Sequence, residues 1–576
     1  MPRLCARSVI KSRKAPVVAT KPAQAVPEPA SWYSGMLAMQ VSVFIVGFLA
    51  LLLLALLVYA PSLQYGFVVD DHGQILKNLR VQNPGFVLSY FTQDVWGSAP
   101  GTSTNYYRPL FLLWLRLQYL LFGLAPAGWH FGSIAAHLMT TLLLGVLVYQ
   151  LLRDRAATLL AVALFALHPA HVESVAWVSA VPDPLMSSAL LVSLLLFMRW
   201  EGLLRKEPEM PEANRRKERS RHTRGNAESG NSGQASAMWL ITSLLCFAIA
   251  LLNKEPAAML PALIFSLAML KNKKTTGCLV RSSVIVLPYV AITAIYLLAR
   301  KAVIGDLLGA TMKHYSIRSQ LLSLPAMLWF YVKALIWPVE SKAFADSPMT
   351  DAWSFSHVLV PLALLLLVFT LGAFTLRWML GSNGAPRSKA VRAAIWSGVL
   401  LLVIPILPVL DAGALVKGDV LHGRYVYLPS AGLALLLATA WHLLQKQQAK
   451  SILLVMAGVL FLCSAAFTFR QEGAWRNDLT VWQSAYEVAP NNAEVLYHLA
   501  AELVRARRIP EALPISREWT VHDPENWRSW ATAGECYMKL GRMRDAEPLL
   551  SHAHDLNHDD ARLNWELQSV RMQVGR

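Results

Sequence analysis

The chain has 576 residues, of which 55% are hydrophobic and only 15% charged, with a mean hydropathy of +0.40. Soluble globular proteins carry about 25% charged residues, so the composition excludes a wholly soluble protein and indicates an integral membrane protein. The net charge of +17 does not argue for nucleic-acid binding. The Lys and Arg residues collect ahead of the first apolar segment and between later ones, where basic residues mark the cytoplasmic face.

Residues 1–35 form a basic tail with Arg3, Arg7, Lys11, Arg13, Lys14 and Lys21, expected in the cytoplasm. The first apolar segment, 36–60, is long enough to cross a bilayer as a helix and too long for a signal-peptide core, so it reads as an uncleaved anchor. No charged residue lies between Glu28 and Asp70. Asp70-Asp71 therefore follow the first span at the membrane–water boundary, where carboxylates are costly and tend to be functional. Adjacent side chains diverge on either a helix or an extended segment, which gives the two acids different surroundings. The alternative is a pair of solvated loop residues.

Further spans are expected at 130–152, 156–168, 180–200, 237–253, 256–271, 281–299, 356–377, 392–410, 426–444 and 451–470, giving eleven crossings in an all-α, polytopic fold. Starting inside, this count puts Arg153/Arg155, the basic run within 205–224, Lys271/Lys273/Lys274, Arg377/Arg387/Lys389 and Lys446/Lys450 on the cytoplasmic face. Two apolar stretches, 108–124 and 321–338, carry Arg116 and Lys333 and are read as interfacial or re-entrant. The loop 205–236 joins a basic run to a Gly/Ser/Asn-rich stretch and is expected to be disordered in the cytoplasm. The five cysteines (5, 246, 278, 463, 536) show no metal-ligand spacing and no disulfide framework.

The same count puts the candidate site residues on one external face. His168-Pro169-Ala170-His171-Val172-Glu173-Ser174 holds two His and a Glu, but a proline within the run and too few ligands do not favour a divalent metal. Contact with a polar or phosphate-bearing substrate, or locking of an external loop, suits it better. Lys254-Glu255-Pro256 sits at a tight turn between spans, either as a self-neutralising ion pair or as part of a site. Arg424, in His422-Gly423-Arg424-Tyr425-Val426-Tyr427-Leu428-Pro429, is either a headgroup anchor or a phosphate clamp. Arg108, in Tyr106-Tyr107-Arg108-Pro109, raises the same choice.

The last segment, 471–576, is polar and repeats internally. Pro490-Asn491-Asn492 returns as Pro524-Glu525-Asn526, and Ala500, Ala512 and Leu503 match Gly534, Ala546 and Tyr537 at the same 34-residue offset. That is the tetratricopeptide period, a helix–turn–helix unit with small residues where its helices touch. Two full units with flanking helices are expected, forming an α-solenoid outside the membrane. It acts either as a protein-binding module or as a packing lid.

Taken in order, these segments resemble the transmembrane, tetratricopeptide-repeat O-mannosyltransferases of the GT-C superfamily and their bacterial relatives. The resemblance rests on the acidic pair after the first span, Tyr-Arg-Pro, and His-Pro-x-His-x-Glu-Ser-Val-Ala-Trp. It continues through Lys-Glu-x-x-x-x-x-Pro, Arg-Tyr-x-Tyr-Leu-Pro-Ser and the repeats. It covers residues 36–576 apart from the 205–236 loop. It implies a catalytic membrane domain over 36–470 and a repeat domain over 471–576, in the plasma (inner) membrane. It also implies inverting transfer of a sugar from a polyprenyl-phosphate donor to an acceptor hydroxyl on the extracytoplasmic face.

By the motifs, Asp70 is carried over as the base and Asp71 as its support. Arg424 and Lys254 are carried over as phosphate contacts, with His168, His171 and Glu173 lining the site. Arg108, Glu255, Asp183 and Tyr425 complete the candidate donor and substrate-binding set; no cofactor is implied. The sequence departs from the family pattern in two places. Ala180-Val181-Pro182-Asp183 stands where Gly-Arg-x-Asp is usual, and Gly423 stands where the residue before the arginine is often acidic. Transfer to a lipid or surface glycan, and a non-enzymatic scaffold displaying the repeats, are the competing readings.

Overall fold

The computed structural model describes residues 30–97, 106–204, 229–270, 276–305, 315–336, 349–381, 387–411 and 421–575. The basic run within 205–224 and most of the N-terminal tail lie outside the described residues. The chain divides into two units, Met1–Gly47 and Phe48–Arg576. The described part of the first is the opening of helix α1 (Ala30–Tyr59).

No strand occurs among the described residues. After α1 come α2 (Pro109–Phe122), α3 (Pro126–Leu152), α4 (Arg155–Ala166), α5 (Pro182–Glu201) and α6 (Ser229–Asn253). Then follow α7 (Leu260–Met269), α8 (Thr276–Ile304), α9 (Ile317–Ile336), α10 (Val360–Leu380), α11 (Lys389–Val403), α12 (Tyr427–Leu443) and α13 (Gln447–Glu472). Local chemistry sets many boundaries. Pro126 and Pro182 start α3 and α5 at positions where a missing N–H costs nothing. Asp154 caps α4 by accepting from the Ala157 N–H at 3.0 Å. Gly202, at φ +70°, closes α5 in the left-handed conformation that glycine adopts without strain.

Among the described residues, nine helices are long and apolar enough to cross a membrane, or ten if α4 and the bent segment Pro169–Ala176 are one span. Against the eleven spans expected from the sequence, 256–271 appears as a shorter apolar helix, 237–253 lies within the longer helix α6, 156–168 reaches crossing length only together with Pro169–Ala176, and α9, read from sequence as interfacial, reaches crossing length.

Side-chain contacts nevertheless sort the helix ends into two groups. Asp154 meets His442, and Glu201 meets Arg281, at one end of the bundle. At the other, Arg108 meets Glu255 and His168 meets the Leu335 carbonyl. Tyr315, just before α9, and Leu335, near its end, belong to one apolar cluster with Ala170, Met327, Tyr331 and Val426. Packing between α11 and α12 is backbone-close: a Cβ on Gly432 would fall 2.5 Å from the Leu402 nitrogen and 2.6 Å from the Gly398 carbonyl oxygen. Small residues allow this approach where helices associate in an apolar medium.

The C-terminal segment continues as α14 (Asp478–Tyr486), α15 (Ala493–Arg505), α16 (Ile509–His522), α17 (Trp527–Lys539), α18 (Met543–Leu556) and α19 (Ala561–Val574). The 34-residue offset recurs in its details. Asn492 and Asn526 cap α15 and α17 through their side chains. The turn after each carries one left-handed residue, Arg507 in the first unit and Gly541 in the second. Gly534 is small because α18 lies against it: an added Cβ would sit 2.7 Å from Leu550.

Candidate active site

The chain leaves α1 through a 3-10 turn at Ala60–Gln64 and runs extended to Val69, which takes φ +50°. For a β-branched residue that conformation is a sterically costly outlier. The turn there separates the two acids. Asp71 is fully buried: its Oδ2 accepts from the Val68 N–H at 3.1 Å, and its Oδ1 accepts from the Ser179 N–H at 2.9 Å and hydroxyl at 2.5 Å. Burial pushes its carboxyl up to about 7, against the lowering effect of these hydrogen bonds. Asp70 is half-buried, accepts from Gln74 Nε2 at 3.4 Å, and faces a cleft of about 640 Å³.

Three of the cations that line the same cleft, Arg108, Lys254 and Arg424, are each directed by a carboxylate that is distant in sequence. Arg108 donates to Glu255 through Nε (3.1 Å) and Nη2 (2.7 Å), a two-pronged pairing that fixes the guanidinium plane. Lys254 donates to Asp183 Oδ1 at 2.6 Å, with both side chains buried. Burial holds the Lys254 ammonium below the usual lysine range; Asp183 opposes this, and Arg108 and Arg424 add to it. Arg424 donates from Nη1 (3.0 Å) and from its backbone N–H (2.9 Å) to Glu173, which also meets His422 Nδ1 at 3.1 Å. The Arg424 guanidinium lies 4.9 Å from the Trp177 ring centre and 5.5 Å from that of Tyr425. Trp177 in turn stacks on Trp475.

Asp70, Arg108, Glu173, Lys254, Arg424 and Tyr425 thus share one cleft. Asp71, Asp183 and Glu255 stand behind it and orient residues that line it. His168 and His171 are placed elsewhere, because they are used to fasten a turn. His168 Nε2 meets the Leu335 carbonyl at 3.0 Å, and His171 Nε2 meets the Ser430 hydroxyl at 2.7 Å among the rings of His137, Phe165 and Tyr427. Among the described residues, no group of three or more His, Cys, Asp or Glu side chains is gathered as a metal site requires.

The remaining wall was not legible from motifs. Asp478, Trp482, Tyr497, His498 and Arg505 reach the cleft from α14 and α15. The period placed these residues on helices, but nothing local showed that the solenoid abuts the Asp70 loop. A second cavity of about 400 Å³ lies along α15, α17 and α19, and shares Tyr497, Ala501 and Arg505 with the first. One face of α15 therefore belongs to both.

No protein-family model matches the sequence. The chain is 25% identical to the protein O-mannosyl-transferase TMTC3 of Homo sapiens over 519 residues, which are 85% of this chain and 53% of that protein. It is 27% identical to TMTC4 of Mus musculus, covering 80% and 63%. To Tmtc2 of Drosophila melanogaster it is 36% identical over 149 residues, 25% of this chain and 16% of the relative. The chain spans about half the length of TMTC3.

Among solved structures it is similar to ArnT from Cupriavidus metallidurans bound to undecaprenyl phosphate. The sequence identity is 14% and the TM-score 0.36, covering 88% of this chain and 79% of that one. It is also similar to the oligosaccharyltransferase of Archaeoglobus fulgidus tethered with an acceptor peptide, at 14% identity and TM-score 0.36, covering 81% and 58%. Superpositions this loose carry no residue correspondences. Over most of its described length, this multi-span, all-α chain resembles the protein O-mannosyl-transferases.

Proposed function

We propose that the protein is an inverting membrane glycosyltransferase. It moves a mannose-like sugar from a polyprenyl-phosphate donor to a hydroxyl of a protein acceptor on the extracytoplasmic face. The observation that carries this reading is the convergence of one half-buried carboxylate, Asp70, with three directed cations, Arg108, Lys254 and Arg424, in a single cleft. In the proposed reaction Asp70 takes the acceptor proton as the oxygen attacks the anomeric carbon. The phosphate departs with the electron pair of the broken bond, and the cations stabilise the charge that develops on it. Because each cation is already held by Glu255, Asp183 or Glu173, the stabilising field is in place before the donor arrives.

The names of the relatives support mannose as the sugar and a protein as the acceptor. The second cavity supports delivery of that acceptor along the repeats, since its residues Tyr497, Ala501 and Arg505 also line the cleft. The test supplies membranes containing the full-length chain with labelled polyprenyl-phosphate mannose. Label is expected in protein, and Asp70→Asn is expected to lower transfer by about 10²–10⁴-fold at normal protein level. Label confined to lipid or glycan overturns the protein acceptor. Undiminished transfer by Asp70→Asn overturns the assigned base, and absence of transfer by the wild type leaves the scaffold reading in its place.

A further inference from the structure

The residue before the proposed base is the strained one. Val69 holds φ +50°, a region that β-branched residues leave unless the surroundings force them into it. Its own N–H is bound by a carboxylate from a distant part of the chain: Asp478 Oδ1 accepts from Val69 at 2.9 Å, while Asp478 Oδ2 meets His72 Nε2 at 2.7 Å. Asp478 thus grips the loop on both sides of Asp70-Asp71. From the other side, Asp71 accepts from the Val68 N–H and from Ser179.

The grip is itself rigid. Asp478 is the first residue of α14, which is closed by a capping box between Asn477 and Thr480. Just before it, the Arg476 carbonyl accepts from the Gly66 N–H at 3.2 Å. Asp70 therefore sits between two anchors. Asp71 ties the loop to the turn before α5, and Asp478 ties it to the first helix of the C-terminal segment.

We propose that Asp478 is a positioning residue for Asp70, so that the C-terminal segment completes the active site besides receiving acceptor. This rests on the reading of Asp70 as the base. Both of its oxygens already contact the loop, which assigns Asp478 to holding that loop rather than to taking the acceptor proton. Its role is to hold Val69 in the left-handed conformation that turns the next side chain into the cleft. If Val69 relaxes to an extended conformation, the direction of the Asp70 side chain changes with it.

The test uses the full-length protein in membranes with polyprenyl-phosphate mannose, and compares Asp478→Ala, Asp478→Asn, Val69→Gly and the double variant of Asp478→Ala with Val69→Gly. Asp478→Ala removes both contacts with the loop and is expected to lower kcat by at least ten-fold, with the donor KM within two-fold of wild type and a smaller loss than Asp70→Asn causes. Asp478→Asn keeps an oxygen that accepts from the Val69 N–H and is expected to retain most of kcat. Glycine enters the left-handed region without strain, so adding Val69→Gly to Asp478→Ala is expected to recover kcat by three-fold or more. Amide exchange over residues 66–72 is expected to accelerate in Asp478→Ala, while exchange over 493–574 stays unchanged.

Equal rates for Asp478→Ala and wild type, or unchanged exchange over 66–72, overturn the positioning role. An Asp478→Asn loss as deep as that of Asp70→Asn, with no recovery when Val69→Gly is added to Asp478→Ala, also overturns it and marks Asp478 as a base. Absence of transfer by the wild type overturns the proposed reaction instead, and the exchange experiment still decides whether Asp478 holds the loop.

Discussion

The Lys254–Asp183 pair offers a way to separate the strength of the fold from the chemistry of the cleft. Its two side chains are 7% and 6% exposed, and Nζ lies 2.6 Å from Oδ1. Removing one partner of such a pair leaves an uncompensated buried charge and typically costs about 3–5 kcal/mol, whereas replacing both with apolar groups of similar size is often neutral or stabilising. Lys254→Met strands a carboxylate. Asp183→Leu strands an ammonium that already shares its surroundings with Arg108 and Arg424.

Each single variant is therefore expected to lose about 3–5 kcal/mol, and the double variant to recover most of that loss. Transfer should not recover with it, because the double variant lacks one of the three cations assigned to the phosphate. Unfolding in detergent, followed by the fluorescence of the 19 tryptophans, measures the first quantity; labelled-sugar transfer measures the second. A Lys254→Met loss below about 1 kcal/mol, the range of exposed pairs, would refute the buried-pair reasoning. Recovery of transfer together with stability would refute the phosphate role of Lys254.

Two further outcomes follow from local physics. The Asp71 carboxyl, raised from 3.8 to about 7, binds its proton more tightly in the folded than in the unfolded protein. Its contribution is most favourable below about pH 4, is lost as pH rises toward 7, and is flat above. The difference in melting temperature between wild type and Asp71→Asn should change across pH 4–7 in that sense, and a pH-independent difference would contradict it. Arg507 takes φ +59° where the second repeat has Gly541. Arg507→Gly is expected to stabilise the repeats by up to about 1 kcal/mol, read as a raised midpoint in denaturant; a lowered midpoint would count against the strain.

Much of the architecture is written locally. Span length and apolarity mark the helices because a bilayer rewards both over about 20 residues. The asparagine caps at 492 and 526, with the small residue Gly534 against Leu550, make the 34-residue period legible because each feature lies within one helix–turn–helix unit. Segment 321–338 shows where such reading stops. Its composition suits either an interfacial or a crossing helix, and only the structure shows that the helix reaches crossing length.

The site is less local still. Adjacency in sequence said only that Asp70 and Asp71 diverge. Which of them faces the cleft is decided by Ser179, which captures Asp71 from 108 positions away. His168 and His171 carry the chemistry of ligands, yet their Nε2 atoms are taken up by the Leu335 carbonyl and the Ser430 hydroxyl. The partners of Arg108 and Arg424 lie 147 and 251 positions distant, and Asp478 reaches Val69 across 409. The sequence by itself determined the helices, the repeat period and an acidic pair shortly after the first apolar helix, because periodicity and apolarity are properties of neighbouring residues. Only the tertiary structure decided which acid faces the cleft, which cations meet it and what holds the loop, because side-chain direction is set by elements that become neighbours through packing.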